Sequence, residues 1–202
     1  MKSRSSDTRL ELIERTVCFT GLTPLMFDRY PGDNNTKLEW HQKLYLKHGT
    51  NQVVIPSTNI TSFLSSHNTN SAPKRLRDKR KYKDIANSCL SFVMIQALDG
   101  SGDIPILSGD KPIEMGTPKD DIDEQSGIYL HRSVARLDKG IPNPKERPVI
   151  PLPWSIRFKL SLIPNKEIKE QEVYNLTSEG GLAIGLGTYR GVFGKFSIAE
   201  WD

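Results

Sequence analysis

The clearest periodicity along the chain lies in "WSIRFKLSLIP". Ile156, Phe158, Leu160 and Leu162 alternate with Ser155, Arg157, Lys159 and Ser161, which predicts a strand with one apolar face and one basic, small face. "LELIERTVCFT" at 10–20 is rich in apolar and β-branched residues and closes at Gly21, so it reads as a first strand followed by a loop. "KLEWHQKLYLK" carries Leu38, His41 and Tyr45 at helical spacing and predicts a first helix that stops at "HGTN". In "QVVIPSTNITSFLSS" a short apolar strand meets Pro56, and Ser57 or Thr58 is placed to cap a second helix. "SCLSFVMIQAL" is apolar on both faces, as expected of a strand in the middle of a sheet.

Residues 99–127 hold three prolines and five glycines, and predict a loop or hairpin insertion. "GIYLHRSVARLDKG" follows, separated from the strand at 155 by the proline-dense "IPNPKERPVIPLP", and residues 131–153 are expected to form a projecting hairpin arm. "NKEIKEQEVYNLTSEGG" predicts a helix capped by Asn165 and stopped by the glycine pair, and "GKFSIAEW" predicts a final strand. The order strand, helix, strands, strands, helix, strand is the α+β, ferredoxin-like (RRM-like) βαββαβ pattern, here as one domain over 1–202 with long insertions.

Composition sharpens this picture only where charge is concentrated. The net charge is +4 over 202 residues, and the mean hydropathy of −0.48 suits a modest core with long exposed excursions. "KRLRDKRKYK" sets Lys74, Arg75, Arg77, Lys79, Arg80, Lys81 and Lys83 around Asp78 alone, within a basic insertion expected over 67–87. "KDDIDE" at 119–124 is acidic, and is a candidate joint to a basic segment of a second protomer. Cys18 and Cys89 lie in apolar stretches without metal-ligand spacing and predict buried free thiols in a reducing compartment. No stretch approaches a membrane span, and "MKSRSSDTR" lacks the apolar core of a secretion signal, so an intracellular, cytoplasmic protein is expected. No cofactor or metal is expected.

The C-terminal "EGGLAIGLGTYRGVFGKF" crowds six glycines between Gly180 and Gly194. It is not a P-loop, because Tyr189 stands five places before Gly194-Lys195 and Phe196 follows, so the metal-binding hydroxyl is absent. It is not a dinucleotide fingerprint either. Gly185 and Gly187 are followed by Arg190 at the third position, with no room for the helix and strand that must come next. What remains is a loop whose backbone amides can converge on an anion, with Arg190 and Lys195 as cations and Tyr189 or Phe193 as a stacking surface. Phe196 and Trp201 read instead as core.

"GLGTYRGVFGKF", between a helix and a last strand, resembles the glycine-rich loop of the RAMP superfamily, the repeat-associated RNA-binding proteins of CRISPR systems. "VVIPSTNITSFL" is similar to the strand-turn-helix segment of that superfamily's backbone subunits, with Pro56, Ser57, Asn59 and Ile60 in the matching places. The arginine usual on that turn is missing, and the 74–83 run supplies charge instead. The resemblance implies a protein that coats single-stranded RNA or DNA with little sequence specificity, self-associates into a helical oligomer, and joins other effector subunits. Related small proteins also occur in phages and plasmids. Its candidate contacts are Ser57, Thr58 and Asn59, the cations from Lys74 to Lys83, Gly185, Gly187, Tyr189, Arg190 and Lys195. His131, Arg132 and Arg136 would sit on the arm, and the Arg157 and Lys159 face is a further candidate. Two alternatives stay open: an RNA endonuclease using Asp28, Asp33 or one of His41, His48, His67 and His131, and a scaffold that binds no nucleic acid.

Overall fold

A computed structural model of the chain describes residues 11–68, 70–136, 140 and 142–202. Thr69 in the basic insertion, residues 137–139 and 141 of the arm, and residues 1–10 lie outside the described set. In chain order the elements are β1 (Ile13–Gly21), β2 (Leu25–Met26), a 3₁₀ turn (Trp40–Lys43), β3 (Val54–Pro56), α1 (Ser57–Ser65), α2 (Ala72–Leu76), α3 (Tyr82–Phe92), β4 (Val93–Ala97), β5 (Asp103–Ser108), β6 (Lys111–Pro112), β7 (Tyr129–Arg136), β8 (Pro142–Ile150), β9 (Ser155–Leu162), α4 (Glu170–Ala183) and β10 (Phe196–Trp201).

The protein is α+β, and its strand pairs among the described elements are antiparallel. β10, β1, β9 and β4 lie side by side in that order, which for first, second, third and fourth core strands is 4-1-3-2, the ferredoxin-like arrangement. β9 is central, pairing with β1 on one edge and with β4 and β5 on the other. Ile156, Phe158, Leu160 and Leu162 are buried beneath the helices, while Arg157 and Lys159 face outward. β5 continues the sheet past the first half of β9 and carries β3 beyond it. β2, β8 and β7 form a separate three-stranded sheet.

Five expectations are corrected by the structure. The helix expected from Thr36 is a single 3₁₀ turn, because Tyr45 accepts the Val54 amide and Leu46 bridges Val53, so an edge contact with β3 replaces helical bonding. The "SCLSFVMIQAL" segment is not one central strand. It stays in α3 to Phe92 and then becomes β4, where Val93, Ile95 and Ala97 are buried while Met94 and Gln96 are exposed. Residues 99–127 are not only an insertion, since β5 places Ile104 and Ile106 fully inside the core. α1 is preceded by Pro56, with no side-chain cap from Ser57 or Thr58. α4 begins at Glu170, and the Asn165 carboxamide instead accepts the Glu167 and Ile168 amides in a turn before it.

Cys18 and Cys89 are buried and unbridged, and burial pushes the Cys89 thiol up to about 12. The first strand is joined to α4 by Arg15, which donates to Glu170 at 2.6 and 3.0 Å, and the Trp201 indole donates to the same carboxylate at 3.0 Å. The Arg15 guanidinium holds the Glu170 carboxyl below its ordinary value of 4.5. A depressed carboxyl contributes stability above the unfolded-state value and loses it as pH falls through the folded one. Glu170→Gln is therefore expected to lower the urea midpoint at pH 7 and to flatten its decline below pH 4.5, measured by urea melts at pH 7 and pH 3.

Candidate nucleic-acid interface

The glycine-rich loop is first of all a hub of backbone hydrogen bonds. The Thr188 amide donates to the Met26 carbonyl at 2.8 Å, Gly194 to Pro24 at 2.8 Å, Leu186 to Gly194 at 2.9 Å and Gly191 to Ile184 at 2.7 Å. Those donors are spent on holding β2 and the end of α4, so they do not form a ready anion nest. Two glycines are obligatory for this approach: a Cβ at Gly187 would run into the Met26 carbonyl, and one at Gly194 into the Leu186 carbonyl, both at positive φ. Gly185 packs against the Gly194 backbone in the same way. Lys195 is half-buried, and its amide donates to the Thr23 hydroxyl at 3.0 Å.

Tyr189 and Arg190 project from this hub. Tyr189 is 53% exposed and holds φ +52°, a left-handed conformation that costs a non-glycine residue about 1–2 kcal/mol. Its ring lies 5.8 Å from that of Phe193, which in turn meets the His131 ring edge-on at 5.3 Å. Arg190 donates to the carbonyls of Gly187 at 3.1 Å and Asn70 at 2.7 Å, and among the described residues no carboxylate pairs with it. Burial lowers its pKa, but an arginine remains charged at neutral pH.

The arm separates residues that the linear sequence groups. Along β7 and β8 the register pairs His131 with Arg147, Ser133 with Lys145 and Ala135 with Asn143, and these share the half-buried face that meets Phe193. Arg132 points to the opposite face, where it donates to Asp121 at 2.5 and 2.7 Å and to Glu146 at 3.3 Å. Arg136 closes β7 opposite Pro142, and its side chain lies outside the described set. Prolines 142, 144 and 148 fall on alternate positions of β8, which is how a proline-dense segment keeps its ladder to β7.

Two acids of the 119–124 segment have partners within the chain, while Asp120 and Glu124 are exposed. Asp121 pairs with Arg132, while Asp123 is buried and accepts from the Gly116 amide and the Ser126 hydroxyl. The basic face of β9 is likewise neutralised, Arg157 by Glu200 at 2.5 Å and Lys159 by Glu14 at 2.6 Å.

The 74–83 run joins two helices: Lys74 and Arg75 lie in α2, Arg77, Lys79, Arg80 and Lys81 in the turn that follows, and Lys83 in the first turn of α3. Arg77 is structural: it joins Glu172 at 2.7 Å and Glu179 at 3.0 Å, tying α2 to α4. Lys74 donates to the His67 carbonyl at 2.9 Å and lies 5.5 Å from the Tyr82 ring centre. Arg75, Lys79, Arg80, Lys81 and Lys83 are exposed, and among the described residues their one ion pair is Arg80 with Asp78 at 3.7 Å. The Arg190 bond to Asn70 sets the glycine loop next to the turn that leads into this run. Ser57, Thr58 and Asn59 stand at the other end of α1, about 13 Å away along nine residues, and the Ser57 amide donates to the Gly102 carbonyl at 2.7 Å.

The carboxylates among the nuclease candidates, Asp28 and Asp33, lie in the loop after β2 and both have partners. Asp28 pairs with Arg147 at 2.8 Å, and Asp33 accepts from the Asn35 and Thr36 amides and the Thr36 hydroxyl, which holds it below the usual carboxylate range. His41, His48, His67 and His131 lie on four separate segments.

Comparison with known proteins adds a distant likeness. No family model matches the chain, and no curated protein matches it. Among solved structures, a chain in the cryo-EM structure of the Type III-B Cmr-beta bound to cognate target RNA superposes with a TM-score of 0.44 at 11% identity. The match covers 96% of this chain and 61% of that one, so this chain spans about three fifths of the length it resembles.

The linear reading missed a group that the fold assembles. Arg29, Lys37, Lys43 and Lys145 come from three segments and line one cleft of about 570 Å³ between the 28–38 loop and β8. They are isolated in sequence, so no local charge run could have revealed them. None of the described helices is long and apolar enough to cross a membrane.

Proposed function

We propose that this protein binds single-stranded nucleic acid along its phosphate backbone, with little sequence specificity, as a repeating subunit of a RAMP-type helical assembly. One observation carries the reading: an exposed tyrosine held in a strained backbone conformation, beside an arginine with carbonyl partners only, at the end of a row of exposed cations. A glycine at position 189 would hold this conformation without the strain, and beyond its contact with Phe193 the tyrosine remains 53% exposed. Stacking on a base is the use that suits it, at about 1–3 kcal/mol. The motif resemblance to RAMP backbone subunits points the same way, and extends to self-association along the strand and to other subunits. Binding without cleavage is proposed, because Asp28 and Asp33 are each engaged by their neighbours.

Fluorescence anisotropy with a labelled strand of about 40 nucleotides, RNA and DNA in parallel, tests this. With roughly five phosphates held per protomer, the logarithm of affinity falls against the logarithm of salt with a slope of about −3 to −4, or about a hundredfold between 50 and 200 mM. Tyr189→Gly is expected to weaken binding about 5- to 100-fold while leaving the unfolding midpoint nearly unchanged. Salt-insensitive behaviour, or unchanged affinity in Tyr189→Gly, would overturn the reading, and shortened strands on a gel would favour the nuclease instead.

A further inference from the structure

The cleft beside the arm is not part of the surface described by Tyr189, Arg190 and the cations of the 74–83 run, and its charges are unbalanced. One wall is the 28–38 loop and the other is β8 around Lys145. Of the two acids that line it, Asp28 is taken by Arg147 at 2.8 Å, with Lys43 at 3.8 Å. The Glu146 carboxylate pairs with Arg132 at 3.3 Å, and its carbonyl accepts from Lys43 at 2.6 Å. Arg29 is held by the Gln42 carbonyl at 3.1 Å. Lys37 and Lys145 are left without an acidic partner among the described residues.

Tyr30 stands at the same cleft, 60% exposed, with its hydroxyl donating to the Asn34 carboxamide at 3.2 Å. That bond orients the hydroxyl end of an exposed ring. Two unbalanced ammonium groups beside an oriented aromatic ring match a phosphate with a base attached, and about 570 Å³ accommodates one nucleotide. Lys145 also shares its face of the arm with His131, as diagonal neighbours about 7 Å apart across the two strands. A strand lying over Phe193 and His131 therefore runs on toward this cleft.

We propose that the cleft lined by Tyr30, Lys37 and Lys145 is a second nucleotide subsite, which seats one nucleotide of a bound strand by its phosphate and stacks its base on Tyr30. This rests on the nucleic-acid reading above and extends it to residues outside the glycine loop and the basic run. A free mononucleotide shares the same chemistry, so both sources are tested.

The experiment compares wild type, Lys37→Ala/Lys145→Ala and Tyr30→Ala by anisotropy with the 40-nucleotide strand across salt, and by calorimetric titration with AMP, with thermal melts as a check on folding. The expected result is a salt slope shallower by about 0.7 in the double variant, with affinity weakened about fivefold at 100 mM salt and unchanged melting. AMP binding lost in the same variant would support the subsite with a free nucleotide as its ligand. A strand bound by wild type and double variant with equal slope, together with no AMP binding, overturns the subsite and leaves the binding reading intact. If wild type binds no strand, the binding reading falls, and absence of AMP binding then overturns the subsite as well.

Discussion

Replacing Lys79, Arg80, Lys81 and Lys83 together by glutamate is expected to weaken strand binding by on the order of 10²–10³ at 150 mM salt, with the fold intact or slightly more stable. The size follows from counterion release. Each phosphate contact on a single strand contributes about 0.7 to the salt slope, and four are lost together. The sign of the stability effect follows from position. Lys81 precedes α3 and Lys83 lies in its first turn, where the partial positive charge of the helix end disfavours cations. Each costs roughly 0.3–1 kcal/mol there, and glutamate reverses that term. None of the four holds a tertiary ion pair among the described residues, and Arg80 meets only Asp78 at 3.7 Å. Anisotropy and a thermal melt on the same preparation read both effects. Binding that survives the reversal would remove this surface from the interface.

Phe196→Ala is the largest stability loss expected, about 3–5 kcal/mol, or on the order of 10 °C in melting temperature for a chain of this size. Phe196 is fully buried, stacks on Phe19 with ring centres 4.2 Å apart and meets Phe63 at 5.8 Å. Gly181 lies so close that any Cβ there would strike the Phe196 ring and carbonyl, so α4 cannot settle inward to fill the space. The cavity term is therefore added to the transfer term. Because Phe196 opens β10 directly after the glycine loop, the variant is also expected to exchange the loop amides faster, as read by hydrogen exchange at Gly194 and Lys195.

The βαββαβ order and the α+β class were legible because strong periodicity needs no partner to be read. β1, β9 and β10 lie where their patterns predict, and Phe196 is core as expected. The break between α3 and β4 was not legible, since "CLSFVMIQ" contains neither proline nor glycine, and only pairing with β9 ends the helix. β5 was hidden by Pro105, Gly100 and Gly102, which signal a loop locally, although the strand is held on both sides by β3 and β9.

For the site, the residue types were visible and their assignments were not. A run of basic residues shows that charge is present, but only the fold shows that Arg77 is consumed by Glu172 and Glu179 while Lys79 to Lys83 are open to solvent. The glycines of the last loop are visible as letters, but only the fold shows that the Thr188 and Gly194 amides are committed to Met26 and Pro24, more than a hundred residues away. His131 and Arg132 are neighbours in sequence and opposites in space, because successive residues of a strand face opposite ways.

The sequence alone determined the elements with strong local periodicity, the order in which they occur, and the amount of charge available. The tertiary structure decided which of those charges remain free, since pairing depends on acids brought in from other elements. It also decided that Tyr30, Lys37 and Lys145 form one cleft, because long-range packing sets that proximity and local pattern leaves no trace of it.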